Sequence, residues 1–271
     1  MNRERWNEMK DFNAHLQQFA DYTRDYNPQD PLIRLKLVHT MKVVDNMKIL
    51  VEEEEIDLDW KEAALLCALY HDLGRFEQVR RYQTFIDSKS IPHADLSVSE
   101  LKRTGFLADR PQKEQEAILN AIAWHSLLAL PEPIEDRETE TLARLIRDAD
   151  KLDIFRVFAQ EDAQNAAEKT LDEILQESIT PEVSASLRSG HCVRKEDRKT
   201  SLDIWMTFLG FFYDFNYRTS LKIALDQGWY RKVFDEVTFS HESVQQEVQE
   251  LLALCESYAR NRLEEQSSSR S

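Results

Sequence analysis

Residues 69–78 read Leu-Tyr-His-Asp-Leu-Gly-Arg-Phe-Glu-Gln, which places a histidine beside an aspartate at the end of an apolar run. Apolar residues recur at helical spacing from Trp60 to Leu73, and Gly74 is predicted to end that helix. His71 and Asp72 can therefore reach a common point beyond the helix end. Because buried polar groups generally have partners, this doublet is the first indication of a functional site.

Three further histidines and one aspartate extend the doublet into an ordered series. They are His39, His93, His125 and Asp150, each set among apolar or small residues. A lone histidine on an apolar helix face is usually a core residue bonded to the backbone. Only seven histidines occur in the chain, however, and four belong to this series. Six nitrogen and oxygen donors on separate helices can hold two transition-metal ions.

The rest of the chain predicts an all-α fold. It has five glycines and seven prolines, and apolar residues recur every three or four positions. The predicted helices lie at about 3–25, 31–54, 60–73, 94–104, 111–126, 138–158, 162–178, 181–189, 201–225, 229–236 and 241–263. Residues 75–92 are predicted to be irregular. The stripe Trp205, Phe208, Leu209 and Phe212 is predicted to be core.

We predict one domain over residues 1–262. Its metal-binding core covers about 32–160 and a C-terminal helical extension about 161–262, followed by a disordered tail at 263–271. The extension could be a lid, a dimer surface or further core, and a homodimer is compatible with the sequence.

Composition excludes several function classes. The formal net charge of −15 repels a nucleic-acid backbone, so we expect no nucleic-acid polymer as partner. No run of eighteen apolar residues and no signal-peptide core is present, so we expect no membrane association. Cys67, Cys192 and Cys255 are odd in number and far apart, as expected of free thiols in a cytoplasmic protein.

The order His…His-Asp…Asp resembles the HD-domain superfamily of metal-dependent phosphohydrolases, and His93 and His125 resemble the additional ligands of its binuclear subgroup. The local sequences that carry this resemblance are "LYHDLGRFEQ" (69–78), "PHADLSV" (92–98), "AWHS" (123–126) and "RDADKLDIF" (147–155). The resemblance covers about residues 32–160 and implies an HD-domain-like helical bundle.

The resemblance also implies a ligand set. The first ion would be held by His39, His71, Asp72 and Asp150, and Asp72 would bridge to a second ion completed by His93 and His125. Asp148 and Asp153 compete with Asp150, which is preferred because the family places the ligand in an Ala-Asp-Lys/Arg-Leu context, here 149–152. Asp148 is then a candidate to support a ligand histidine.

The implied activity is hydrolysis of a phosphomonoester, a nucleotide or a phosphodiester through a metal-bridging hydroxide. Imidazole-rich sites favour Fe, Mn, Co, Ni or Zn. The family's alternative chemistry is that of a mixed-valent di-iron oxygenase. A mononuclear variant and a non-catalytic, metal-stabilised binding module also remain open.

Arg75 is the candidate cation for the phosphate of a small phosphorylated substrate, because related binuclear proteins carry Lys or Arg three residues after the doublet. A guanidinium can bind two phosphate oxygens at once. Its alternative role is to interact with the C-terminal end of the preceding helix. Gln78, Arg81 and Lys151 are further candidates for substrate contact.

Overall fold

The computed structural model describes residues 10–160 and 169–268, and the chain divides into two compact units, Met1–Asp150 and Lys151–Ser271. The described residues form helices and turns without a strand, which confirms the all-α prediction. The helices are α1 (Lys10–Thr23), α2 (Pro31–Glu53), α3 (Leu58–Tyr70), α4 (Leu73–Tyr82), α5 (His93–Thr104), α6 (Gln112–Trp124), α7 (Arg137–Gln160), α8 (Leu171–Ile174), α9 (Pro181–Arg188), α10 (Ser201–Leu209), α11 (Phe211–Asp214), α12 (Arg218–Gln227), α13 (Trp229–Asp235) and α14 (Glu242–Ser268).

Helix α3 is the central helix of the first unit. Every residue from Ala63 to Tyr70 is fully buried, because apolar side chains occupy all sides of the helix rather than one stripe. Helices α1, α2 and α6 pack around it. The residue that follows, His71, is therefore also fully buried.

The prediction that residues 75–92 are irregular is wrong in its first half, because α4 continues to Tyr82. Gly74 does not end a helix but lies in the first turn of α4, against α5. A Cβ on Gly74 would lie 2.4 Å from the Ser97 nitrogen and 2.6 Å from the His93 carbonyl oxygen. The missing side chain thus lets α4 and α5 approach closely. The irregular segment is 83–92, which contains one short 3-10 turn.

In the second unit, the long helix α14 packs against α9, α10, α11 and α12. Trp205, Leu209 and Phe212 are fully buried, and Phe208 packs against the same core while partly exposed. The prediction that this stripe is core is confirmed.

The predicted continuous helix over 201–225 is wrong. It is divided into α10, α11 and α12, with Tyr217 in an extended conformation before α12 begins. Asn216 Nδ2 donates to the Asp214 carbonyl oxygen at 3.2 Å. Such a local side-chain bond offers the backbone an alternative to helix hydrogen bonds.

Other predicted boundaries differ at the ends of the described ranges. Residues 3–9 of the first predicted helix and 162–168 of the seventh lie outside the described residues, and within 169–178 only α8 is α-helical. The predicted tail begins at residue 263, yet Leu263 packs against the core and α14 continues to Ser268. Residues 269–271 lie outside the described residues. The single-domain assignment stays a prediction.

Two further sequence features concern cysteines and membrane spans. Cys67, Cys192 and Cys255 are free thiols. Among the described helices, none combines the length and apolarity that a bilayer crossing requires.

Candidate metal centre

Six polar side chains from separate parts of the first unit converge in its interior. His39 lies within α2 and Asp150 within α7, whereas the remaining four lie at helix ends. His71 and Asp72 form the junction between α3 and α4, His93 begins α5, and His125 follows α6. All six residues are buried.

The first group consists of His39, His71, Asp72 and Asp150. The Nε2 atoms of His39 and His71 are 3.3 Å apart, and Asp72 Oδ2 lies 3.5 Å from each. Asp150 Oδ1 lies 3.1 Å from His39 Nε2 and 3.7 Å from His71 Nε2. Two imidazole nitrogens and two carboxylates thus face one point.

The second group consists of Asp72, His93 and His125. The two histidine Nε2 atoms are 3.1 Å apart, and Asp72 Oδ1 lies 3.7 Å from His93 Nε2. Asp72 belongs to both groups, and its two oxygens face different histidines. In each triad, His39–His71–Asp72 and Asp72–His93–His125, one potential ligand atom per residue lies within 4.8 Å of the others.

The hydrogen bonds of the opposite ring nitrogens show that this donor set fits a cation. His71 Nδ1 lies 2.9 Å from the Ala68 carbonyl oxygen and His125 Nδ1 lies 2.6 Å from that of Ile122. His93 Nδ1 lies 2.8 Å from Asp87 Oδ2. Each acceptor requires a proton on Nδ1, which leaves a lone pair on Nε2 when the ring is neutral. Two lone pairs at 3.1 Å repel each other unless both bind a cation.

The protonation states of the second-group histidines suit a metal ion. Burial lowers the pKa of His125 to about 4, and the neighbouring His71 adds to the effect. Burial also lowers the pKa of His93 to about 4, with a further contribution from the positive charge of Arg75. Both rings are therefore neutral near pH 7, which is the form that binds metal.

The shared carboxylate is ionised. Burial alone would raise the pKa of Asp72, but the positive charges of Lys36, His71 and Arg75 outweigh it and hold that pKa well below its usual range. Lys36 Nζ lies 2.6 Å from Asp72 Oδ2, and Arg75 Nε lies 3.5 Å from Oδ1. Hydrogen bonding from His39 and the nearby histidine charges likewise outweigh burial at Asp150 and lower its pKa.

The family comparison matches the part of the chain that contains these six residues. Residues 37–154, a little under half of the chain, match the family model of the HD domain. This segment is an HD domain. No curated protein and no solved structure matches the chain. The resemblance to the HD-domain superfamily is thereby confirmed, and that family is generally one of metal-dependent phosphohydrolases. The binuclear ligand set stays a prediction.

The three aspartates on α7 of the HD domain differ in their contacts. Asp150 faces His39 and His71 as described, whereas Asp153 is ion-paired with Arg156 at 2.6 Å. Asp148 is fully buried. Its role in supporting a ligand histidine stays a prediction.

The predicted substrate contacts lie in different surroundings. Arg75 is beside Asp72, but its Nη1 also donates to the Phe85 carbonyl oxygen at 2.7 Å. Gln78 bonds to the segment 83–92. The Arg81 guanidinium is about half exposed and pairs with Glu77 and Glu100. Lys151 begins the second unit, where its Nζ lies 2.7 Å from Asp214 Oδ2.

Sequence reasoning missed two residues of the first unit that contact the six-residue set. Lys36 precedes His39 by three positions on α2, so helical spacing could have placed it on the same face. Asp87 contacts His93 from the irregular segment, and no periodic pattern indicates where a side chain of such a segment points.

Proposed function

We propose that this protein hydrolyses phosphate esters at a centre of two transition-metal ions. The observation that carries the proposal is the Asp72 carboxylate, whose two oxygens face two separate sets of histidine Nε2 atoms. In this proposal, the first group holds one ion and the second group holds the other. The imidazole-rich ligand set favours Fe, Mn, Co, Ni or Zn.

When bound, such ions supply Lewis acidity toward phosphate oxygens and activate water for attack on phosphorus. The protein's own carboxylates are ionised and its imidazoles are neutral, so these side chains can bind a metal ion without first releasing protons. Burial of all six side chains keeps bulk water from competing for these donors. The substrate class is a phosphomonoester, a nucleotide or a phosphodiester.

Two cations beside Asp72 are suited to hold the phosphate of the substrate. Lys36 Nζ and Arg75 Cζ lie 5.3 and 5.2 Å from the centroid of the Phe85 ring, which attracts both charges electrostatically. Both side chains are mostly buried, so the surrounding protein limits their conformations. A charged donor in such a setting binds phosphate oxygens more strongly than an exposed one.

The described contacts of the other candidates support a weaker role. Gln78 bonds from α4 to the segment 83–92, Arg81 pairs with two glutamates and Lys151 pairs with Asp214. We therefore place Lys36 and Arg75 at the phosphate and leave the other three outside the proposed contacts.

Metal analysis combined with a substrate panel tests the proposal. The protein is purified without chelator, and phosphomonoesters, nucleotides and phosphodiesters are assayed for product release with and without oxygen. We expect about two transition-metal ions per chain and hydrolysis that does not consume oxygen. Oxygen-dependent turnover would instead support the di-iron oxygenase. A content of one ion per chain would support a mononuclear enzyme. Bound metal without turnover, with or without oxygen, would support a non-catalytic binding module.

The role of Lys36 can be tested separately with Lys36→Gln. Loss of a hydrogen bond to a charged group costs about 1.5–3 kcal/mol, so KM for a phosphorylated substrate should rise about tenfold or more. Lys42→Gln is the matched control, because Lys42 is an exposed lysine of the same helix whose Nζ lies 3.9 Å from Asp45. Equal KM values for the two variants would remove Lys36 from the phosphate site.

A further inference from the structure

Asp87 has more hydrogen-bond donors around its carboxylate than an ordinary loop residue. Its Oδ2 accepts from His93 Nδ1 at 2.8 Å, and its Oδ1 lies 3.3 Å from the His93 backbone nitrogen. Gln78 Nε2 and Arg75 Nη1 also donate to Oδ1, at 3.0 and 3.2 Å. Four donors from three residues thus converge on one carboxylate of the irregular segment.

The contact with His93 fixes which nitrogen faces the metal centre. A carboxylate at Nδ1 requires the proton to be there, and Nε2 then presents its lone pair toward His125 and Asp72. A carboxylate on the far nitrogen also makes the imidazole a stronger base toward a metal ion. His125 Nδ1 donates the corresponding hydrogen bond to the carbonyl oxygen of Ile122 in the preceding helix.

The segment 83–92 that carries Asp87 is itself held by α4. Arg75 Nη1 donates to the Phe85 carbonyl oxygen at 2.7 Å. Gln78 Nε2 donates to Ser90 Oγ at 2.8 Å and to the Ile91 carbonyl oxygen at 3.1 Å. Arg75 and Gln78, three positions apart on α4, thus hold both ends of the segment 83–92 and the Asp87 carboxylate in its middle.

We infer that Asp87 is a positioning residue for the second group, fixing the tautomer and direction of His93, and that Arg75 and Gln78 hold Asp87 in place. This inference rests on the proposed metal centre. It gives Gln78 a defined task, because its side chain bonds to Asp87, Ser90 and Ile91. It also gives Arg75 a second role, since Nη1 holds the segment while Nε lies beside Asp72.

Asp87→Ala and Asp87→Asn test the inference, with Asp95→Ala as the matched control. Asp95 is an exposed carboxylate in the first turn of α5, two residues beyond His93. Titration with Zn²⁺ by calorimetry should show one ion bound as tightly as in the unaltered protein and the other weakened about 10–100-fold in Asp87→Ala. Asp87→Asn keeps an acceptor without the charge, so we expect a smaller loss. Asp95→Ala should bind both ions normally.

A second readout does not need metal. In the chelated protein, nitrogen-15 correlation spectra distinguish a histidine protonated at Nδ1 from one protonated at Nε2. His93 should be protonated at Nδ1 in the unaltered protein and in Asp95→Ala, and should lose this preference in Asp87→Ala. If Asp87→Ala does not fold, Asp87→Asn decides the question by calorimetry, because loss of the charge alone should weaken the same ion by a smaller factor.

The failure of this inference differs from failure of the proposed function. If the unaltered protein binds no transition metal, the metal centre is wrong. If it binds two ions and the Asp87 variants bind both equally tightly, with His93 still protonated at Nδ1, only the positioning role is overturned.

Discussion

The two groups that share Asp72 are built in different ways. In the first group, His39 and Asp150 lie inside long helices, and the Nδ1 of His71 bonds to a carbonyl oxygen of its own helix. In the second group, His125 is held like His71, but His93 follows an irregular segment and depends on Asp87. Helix packing therefore determines where the side chains of the first group lie. In the second group, the position of His93 depends on a side-chain contact from the irregular segment.

This difference predicts unequal metal binding. Packed helix interiors open rarely, whereas irregular segments open at lower free-energy cost. We therefore expect the ion in the second group to dissociate first during titration with a chelator.

Asp72→Ala should have the largest effect, because it removes a donor from both groups at once. Loss of a residue that only supports a metal ligand lowers activity about 10–100-fold. Asp72 is itself a proposed ligand, so turnover should fall by more than about 100-fold. Metal content should fall well below two ions per chain while helicity by circular dichroism stays unchanged. Asp45→Ala, an exposed aspartate of α2, is the control and should keep both ions. Retained turnover in Asp72→Ala would disprove the bridging role.

His125→Ala should separate the groups. Without His125, the second group keeps only Asp72 and His93, whereas the first group is intact. We expect metal analysis to fall from about two ions per chain to about one, with turnover reduced more than about tenfold. His39→Ala is the reciprocal variant and should weaken the first ion. Loss of both ions in His125→Ala, or of neither, would contradict two separable sites.

Gly74→Ala should loosen the second group through helix packing. The added Cβ would lie 2.4 Å from the Ser97 nitrogen and 2.6 Å from the His93 carbonyl oxygen, so α5 must move. Overpacking typically costs about 1–3 kcal/mol, and the movement carries His93 with it. We expect a lower free energy of unfolding by denaturant titration and weaker binding of one ion.

The control for Gly74→Ala is Gly105→Ala at the other end of α5. Gly105 has φ of 68° and no atom within 4 Å of an added Cβ, so the cost of Gly105→Ala is backbone strain alone, about 1–2 kcal/mol. Metal binding should be normal in Gly105→Ala. Equal effects of the two substitutions on metal binding would show that contact at Gly74 does not position His93.

Gly74 also illustrates what the sequence can and cannot predict. A glycine after an apolar helical run is typical of a helix end, and we predicted one there. Its actual role depends on α5, which is distant in sequence, so no local pattern carries the information. The histidine and aspartate series was predictable because each member stands alone in apolar sequence.

The surrounding contacts were less predictable for related reasons. Lys36 is an ordinary lysine in a helix until His39 is known to face the same site. Asp87 lies in a segment without periodicity. The helix breaks near Asn216 depend on a polar side chain bonding to the backbone, which propensity alone does not separate from an exposed helical position.

His15→Gln should have the smallest effect, and it tests what distinguishes a metal ligand from a core histidine. His15 is as buried as His39, but its Nδ1 lies 3.0 Å from Tyr70 Oη and its Nε2 lies 3.4 Å from Asp109 Oδ2. Nδ1 thus has a hydroxyl partner, and Nε2 faces one carboxylate at ion-pair distance rather than a second imidazole. We expect His15→Gln to retain both ions and normal turnover, with a loss of about 1 kcal/mol in the free energy of unfolding at pH 7.5.

The loss of unfolding free energy in His15→Gln should become smaller as the pH falls. Burial lowers the pKa of His15 below its ordinary value, although Asp109 opposes this. The unfolded chain therefore binds more protons at this position below pH about 6.5, and the stability contributed by His15 decreases as the pH falls. Denaturant titrations from pH 7.5 to 5 should show the difference between His15→Gln and the unaltered protein shrinking, because effects of distant groups cancel in it. Loss of a metal ion in His15→Gln would show that burial, rather than the direction of the second ring nitrogen, determines which histidines matter to the centre.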